Sequence, residues 1–567
     1  MPVSRWHAVA KRAVKHRQEE VSRHLLPQPP QATFVGGLVH NSSVSAIVAQ
    51  FLKIGSDPVS STPLAVQRHR LNQTATYLML LNSGVQNTMI GMLWGENTHV
   101  WLPVLLVWKG FSSIFWGFAG DVEGRRAAML AQSYVGVLGA GLIVLWGTLS
   151  FWSMTFNGLL HSGLILYFAS GGGVYPVAAA MSAESTNCHA RQEELGCTIA
   201  FEPVGRLLAR CLLLLVALSA HRAVPVMTIA LLSTAIFVAT IVLGHVSCTE
   251  SYLWCNKRLW LNGVDVQVSA TEKLHLARQQ LSAELSLDTS HEHRRYSAMS
   301  NMQSSPLQRQ RAAWARYLRW GSRVIQMDAS SLWGCCVPWF VHSVILYAMT
   351  ITHSLLKAPQ TTDFGKQLFS VGIDCMSLVG YFLAVGLLLF WSPKMLQLVS
   401  LTVSAFIYFG LFLSLFSIAH TEASPLDITQ YPAACFMYES LFLMVTVVPH
   451  VSTWMMATES FHTRIRCGTG GLAASFASFG AATALFLDRH LLFQLSRPAV
   501  LLVCVVLALL AADQTKRLTP NVPGLDLAEL HTIDGEVAKR NFIIEEETPE
   551  APHLSKLNRA TIGNFHV

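Results

Sequence analysis

Twelve stretches of the chain are long and apolar enough to cross a bilayer, which takes about 20 residues at 1.5 Å each. They fall near 75–94, 99–118, 127–150, 158–182, 196–219, 223–245, 331–355, 367–391, 395–418, 432–457, 467–487 and 496–513. Inside hydrocarbon every backbone N–H and C=O must be satisfied within its own segment, which leaves such a stretch the α-helix. The expected fold class is an all-α membrane protein with twelve transmembrane helices in two six-helix bundles. Polar residues interrupt the fourth, fifth and tenth segments, which are the least clean. Only 13% of residues are charged, against about a quarter in soluble chains. The formal excess of +7 is modest and gives no reason to expect nucleic acid as a partner; the lipid bilayer is the expected one. The 11 cysteines have no regular spacing and no Cys-x-x-Cys pair, so they read as small buried hydrophobes and not as a metal site.

One long hydrophilic interruption divides the chain. The reading is a tail over 1–74, a first bundle over 75–245, a central loop over 246–329, a second bundle over 330–513 and a tail over 514–567. Basic residues set the orientation. Arg5, Lys11, Arg12, Lys15, Arg17 and Arg23 lie in the first tail, and Arg125, Arg126, Arg191, Lys394, Arg464 and Arg466 lie in the even-to-odd turns. The opposite face carries fewer, among them Arg222, Lys357, Lys366, Arg489 and Arg497. Both termini are expected to be cytoplasmic. No secretory signal is read in the first 74 residues, and Glu19 and Glu20 argue against a mitochondrial presequence. The plasma membrane is expected ahead of an organelle membrane. In the central loop, Thr271–Leu285 has helical spacing and the Ser- and His-rich stretch after it reads as disordered. Gln308–Val324 interleaves five arginines with Trp314, Tyr317, Leu318 and Trp320, either as a helix in the headgroup plane or as a solvated linker.

Between the second and third segments lies Gly117-Phe118-Ala119-Gly120-Asp121-Val122-Glu123-Gly124-Arg125-Arg126. Glycines permit a tight turn, Asp121 is placed to cap a helix N-terminus, and the arginine pair holds the turn on its side of the membrane. This decapeptide resembles the turn between helices two and three of major facilitator superfamily transporters. The resemblance implies that Gly117, Asp121, Gly124, Arg125 and Arg126 form a gating motif, with the carboxylate against a helix end of the opposite half.

A finer resemblance lies in both halves. The fourth segment reads Gly171-Gly172-Gly173-Val174-Tyr175-Pro176, the seventh Trp339-Phe340-Val341-His342-Ser343-Val344-Ile345-Leu346-Tyr347, and the tenth ends Glu459-Ser460-Phe461-His462-Thr463-Arg464-Ile465-Arg466. Together with Gly380-Tyr381 and Gln397-Leu398, these are similar to motifs of the phosphate:proton symporter family. That family has acids where this chain has Val174 and Ser343, an amide at Arg206 and another at His450. The first helix offers Asn87 where a carboxylate is expected. The resemblance implies that these positions bind phosphate and carry protons, while Tyr175, Trp339 and Tyr347 are retained.

Depth makes these positions one site. Arg206 lies about ten residues, roughly 15 Å, inside its segment. Tyr175, His342, His450 and Lys109 reach about the same level, where transporters place substrate. Glu202, Arg206 and Arg210 share one helix face at i, i+4, i+8. Glu202 is expected to neutralise one arginine, leaving a positive charge for an anion, to which Lys109 adds. A guanidinium suits phosphate or carboxylate through paired donors; the alternative is an ion-pair network that locks helices together. His342 and His450 read as interhelical hydrogen-bonding groups or, with Glu202, as proton carriers. Trp339 and Tyr347 serve binding or packing.

The expected substrate site is therefore Tyr175, Arg206, Trp339, Ser343, Tyr347, His450 and Lys109, for a small anion, with a proton or other cation as coupling partner. Inorganic phosphate or a related phosphate compound leads. The alternatives are an organic solute carrier of the same superfamily and a non-transporting sensor on the carrier fold. No catalytic group, cofactor or metal motif is read, and the chain is not expected to be an enzyme.

Overall fold

The computed structural model describes residues 63–94, 101–152, 156–186, 191–216, 223–246, 248, 329–355, 363–388, 390–421, 432–461, 465–490 and 497–519. It also describes Gln310, Arg311, Trp314, Ala315, Tyr317, Leu318 and Ser322. Among these residues run thirteen helices. They are α1 Pro63–Trp94, α2 Trp101–Val122, α3 Arg125–Phe151, α4 Asn157–Gly172, α5 Val174–Ser185, α6 Arg191–Val216 and α7 Ala223–Val246. After the central loop come α8 Ala329–Leu355, α9 Asp363–Leu388, α10 Pro393–Thr421, α11 Pro432–Glu459, α12 Arg466–His490 and α13 Arg497–Leu518. The helical reading of 271–285 and the disordered one after it lie outside the described residues.

Two expectations are corrected here. The fourth span is not one helix: α4 and α5 meet at Gly173, and together they cover Asn157–Ser185. The first helix begins at Pro63, well before residue 75, because hydropathy detects lipid contact and not where a helix starts; proline suits a first turn, where its missing N–H costs nothing. Among the described residues, ten spans are long and apolar enough to cross a membrane, and α1 and α6 do not reach that standard. Gln73, Thr76, Asn82, Ser83, Gln86 and Thr88 of α1 are buried, as are Glu194, Thr198 and Glu202 of α6. These two helices turn polar side chains toward protein, where such groups are tolerated in a membrane.

Helices α1–α7 pack mainly among themselves, as do α8–α13, and the halves meet chiefly where α2 lies on α12 and α6 on α9. Small residues let the backbones approach. A Cβ on Gly117 would stand 2.6 Å from the carbonyl oxygen of Cys467 and 3.0 Å from the Cα of Gly471. The glycine run before Tyr175 has the same use: a Cβ on Gly172 would stand 2.6 Å from the Lys109 carbonyl oxygen, and one on Gly173 2.7 Å from Trp116.

Prolines punctuate the helices beside the residues of interest. Pro203 follows Glu202, Pro338 precedes Trp339, and Pro449 precedes His450, each inside a helix. A mid-helix proline frees the carbonyl four residues earlier. Two of the freed carbonyls find side-chain donors: Thr519 Oγ1 donates to Gly334 O at 3.3 Å, and Ser404 Oγ to Val445 O at 3.3 Å. The irregular backbone is thus repaired by neighbouring helices, as a membrane interior requires.

Candidate functional site

The buried carboxylate of Glu202 organises the centre of the molecule. It accepts hydrogen bonds from Asn87 Nδ2 at 2.8 Å and from the Tyr381 hydroxyl at 3.3 Å, and His450 Nε2 lies 3.4 Å from Oε2. The Tyr175 ring packs beside the same cluster. The bonding partners come from α1, α9 and α11, so one side chain of α6 gathers both halves. Rings surround the His450 imidazole: Tyr175, Trp339, Tyr381 and His342 have centroids 6.2, 6.3, 6.2 and 5.3 Å from it.

Glu202 lies within the field of Arg206 but is not its ion-pair partner within 4 Å among the described residues. Asp374 of α9, a residue the sequence reading did not single out, stands between the two arginines, with Oδ1 3.7 Å from Arg206 Nε and Oδ2 3.6 Å from Arg210 Nε. Arg206 donates to Ser377 Oγ at 2.7 Å and lies 6.0 Å from the Tyr381 ring centroid. Spacing along α6 made Glu202 and Arg206 neighbours, but Glu202 turns to His450 while α9 supplies the counter-charge from the other half. Asp374 was detectable as a lone acid inside the apolar stretch 367–391, where a charge is a functional candidate by default. Tyr381 was read only as part of a motif.

Lys109 is buried, and Glu202 is the carboxylate whose field reaches it. Among the described residues no carboxylate lies within 4 Å of its ammonium. Three cations (Lys109, Arg206, Arg210) thus face two carboxylates (Glu202, Asp374), a net charge of +1 before the histidines are counted. Trp339 and Tyr175 are edge to face, centroids 6.0 Å apart. Ser343 and His342 are buried on α8. Tyr347 packs with apolar side chains of both halves and is outside the ring cluster.

A second constellation closes one end of the bundle. Gly124 has φ 118°, a backbone that favours glycine, and it forms the N-terminal boundary of α3. Asp121 therefore does not cap α3. Its Oδ2 accepts Gly468 N–H at 2.7 Å, in the first turn of α12, where the helix dipole favours a negative charge. Arg125 lies 3.0 Å from Asp121 Oδ1 and 2.8 Å from Glu184 Oε1, and Arg466 approaches the same Glu184 oxygen at 3.9 Å. Arg126 donates to Gly244 O at 2.7 Å and His245 O at 3.3 Å, satisfying carbonyls at the end of α7. Gly117 faces Cys467 across the same contact. From the linker, Trp314 Nε1 and Gln310 Nε2 donate to Glu123 Oε1 at 2.9 and 2.7 Å. Trp314 and Gln310 thus touch the bundle at the turn between α2 and α3.

No protein-family profile matches the chain, and no curated protein matches it in sequence. Solved structures do. The proton:xylose symporter XylE of the major facilitator superfamily, bound to 6-bromo-6-deoxy-D-glucose, is 13% identical with a TM-score of 0.60, over 83% of this chain and 99% of that one. A partially occluded inward-open form of the E. coli xylose transporter XylE is 13% identical with a TM-score of 0.53, over 81% and 98%. The E. coli fucose:proton symporter FucP is 10% identical with a TM-score of 0.50, over 81% and 100%. The chain has the major facilitator fold.

In this major facilitator fold the Glu202 cluster and the Asp121 cluster have different relations to the two halves. The first holds polar groups among helices at mid-depth, where transporters place substrate and coupling ions. The second joins a turn of one half to a helix end of the other. Among the described residues, no group of three His, Cys, Asp or Glu side chains is placed to hold a metal ion.

Proposed function

We propose that this protein is a secondary carrier that moves a small anionic solute across a membrane by alternating access. The observation that carries the reading is the pair of guanidiniums on α6 held by one carboxylate on α9. Both Nε–O separations, 3.7 and 3.6 Å, exceed the roughly 2.7–2.9 Å of a charge-assisted hydrogen bond. Neither buried Nε has a hydrogen-bond partner. An anion entering between the halves would engage donors that Asp374 holds loosely, and Lys109 adds to the attraction. Inorganic phosphate or a phosphate compound fits this charge, and the motif resemblance to phosphate:proton symporters points the same way. The basic residues of the tail and turns support a cytoplasmic orientation for the Asp121 end, and the plasma membrane is the membrane of this reading.

A second reading is supported by the rings of Tyr175, Trp339 and Tyr381 and by the sugars that the similar structures carry: an organic solute without charge. Proteoliposomes offered labelled inorganic phosphate, an organophosphate, a carboxylate and a hexose separate the two. Anion uptake that Arg206→Gln weakens by about one to two decades, the worth of a charge-assisted contact, supports the first reading. Uptake of the hexose alone supports the second, and a well-folded protein that takes up none of them removes both.

A further inference from the structure

Helices α6 and α9 form a seam between the halves and run in opposite directions: Glu202 meets Tyr381, Arg206 meets Ser377 and Arg210 meets Asp374. Cys211 follows Arg210, and Cys375 follows Asp374. One residue further along an α-helix is a rotation of about 100°. In antiparallel right-handed helices, equal rotations away from a shared contact carry both side chains to the same flank of the seam. That flank carries the apolar side chains that meet lipid. Leu208 and Leu215, on the face of Cys211 at helical spacing, are exposed, as are Leu368, Val379 and Phe382 on the face of Cys375.

Among the eight free cysteines described, six are buried and two are exposed, and the two are Cys211 and Cys375. Cys211 also lies within electrostatic reach of Cys375. A cysteine used only for packing behaves as a small buried hydrophobe. These two are not buried, and they belong to no part of the central cluster, since Arg210 and Asp374 turn into the seam while the thiols turn out of it.

We propose that Cys211 and Cys375 are a dithiol–disulfide site, oxidised by a hydroperoxide dissolved in the bilayer, whose bond ties the two halves together. The flank faces hydrocarbon, so the oxidant is one that dissolves there. One sulfur attacks the terminal oxygen of the hydroperoxide and the O–O bond breaks. A sulfenic acid forms, and the alkoxide takes the thiol proton and leaves as an alcohol. The second sulfur then attacks the sulfenic sulfur, the S–S bond forms, and the hydroxyl leaves with the second thiol proton as water. Two thiols and one hydroperoxide thus give one disulfide, one alcohol and one water; the sulfurs lose two electrons and the O–O bond gains them. The bond asks for Cα atoms about 4.4–6.8 Å apart, so it holds the seam closed where alternating access needs the halves to move against each other.

The arrest of transport in this scheme rests on the carrier reading above, but the disulfide site does not. The full chain in proteoliposomes is exposed to cumene hydroperoxide for hours, since thiols away from water react slowly. Peptide mass spectrometry should then find Cys211 linked to Cys375. After proteolysis in the central loop, the two halves should migrate as one on a non-reducing gel and separate once a membrane-permeant phosphine is added. Cys211→Ser and Cys375→Ser should each abolish the link. Phosphate uptake should fall in step with the linked fraction, return with the phosphine, and resist the hydroperoxide in either serine variant. Linked halves in a protein that moves no phosphate keep the site and remove the phosphate carrier. Linked halves with undiminished uptake overturn the lock. Halves that stay separate, with each cysteine unmodified or oxidised singly to a sulfinic or sulfonic acid, overturn the proposal whatever the protein transports. That last readout uses the wild type alone, so it decides even if the serine variants do not fold.

Discussion

Tyr317, in the segment that links the two halves, donates a 2.7 Å hydrogen bond to Oδ2 of Asp121, the oxygen that also accepts the backbone N–H of Gly468. One fully buried carboxylate thereby joins the turn between α2 and α3, the first turn of α12 and the linker. Burial and the charge of Asp121 both push the Tyr317 phenol well above the usual tyrosine range, so it remains a neutral donor at physiological pH. Opening this end of the bundle requires all three partners to separate.

Asp121→Asn should loosen the closed end. The amide oxygen can still accept from Gly468, but the 3.0 Å ion pair with Arg125 is lost. A charged contact of this kind is worth about 1.5–3 kcal/mol, or roughly ten- to a hundredfold in the open population. Cys467 is buried in this contact and is a native reporter. Its alkylation, read by mass spectrometry of its peptide, should accelerate by about that factor, and turnover should fall more than substrate affinity. Unchanged alkylation and unchanged transport in the variant would remove the latch.

Tyr317→Phe keeps the ring against Phe118, centroids 6.0 Å apart, and removes only the hydroxyl. The expected loss is about 1 kcal/mol, roughly fivefold in Cys467 alkylation. Because Tyr317 and Arg125 act on one carboxylate, Tyr317→Phe and Asp121→Asn together should cost less than the sum of the two. Strict additivity would show that the linker contact is independent of the latch.

Gly468→Ala tests the same place by volume. The added Cβ would stand 2.6 Å from the Tyr317 hydroxyl oxygen and 2.9 Å from Asp121 Oδ2, inside the approach that real methyl groups tolerate. Cys467 alkylation should rise more than in Tyr317→Phe. Gly386→Ala and Gly410→Ala are the controls, since a Cβ at either meets nothing within 4 Å. Equal behaviour of all three alanines would show that the close approach at Gly468 does not hold this end shut.

The spans were legible because a bilayer allows one solution for an apolar stretch of that length, and Asp121 was legible because its spacing is distinctive. Glu202 was found but given the wrong partner. Helical spacing reports neighbours on one helix, whereas His450 and Asp374 arrive from the other half at long sequence separation. Tyr317 sat in a basic, aromatic stretch whose composition describes a surface helix and says nothing of what it docks on. The polar faces of α1 and α6 lowered their hydropathy for the reason that makes them central: they meet protein where the other spans meet lipid.

Asp374→Asn should be the most damaging single change in the centre, and its rescue distinguishes binding from architecture. It leaves Arg206 and Arg210 without their counter-charge. Breaking a buried pair costs about 3–5 kcal/mol; with side chains here 13–23% exposed, about 2–3 is expected, seen as a lower melting midpoint. Arg210→Gln in the Asp374→Asn background restores the charge balance and should recover part of that loss, while Arg206 stays available to an anion. If Arg206→Gln alone folds and loses anion affinity, Arg206 binds solute. If Arg206→Gln instead fails to fold, and folds only with Asp374→Asn beside it, Arg206 is half of a structural pair and the anion reading falls.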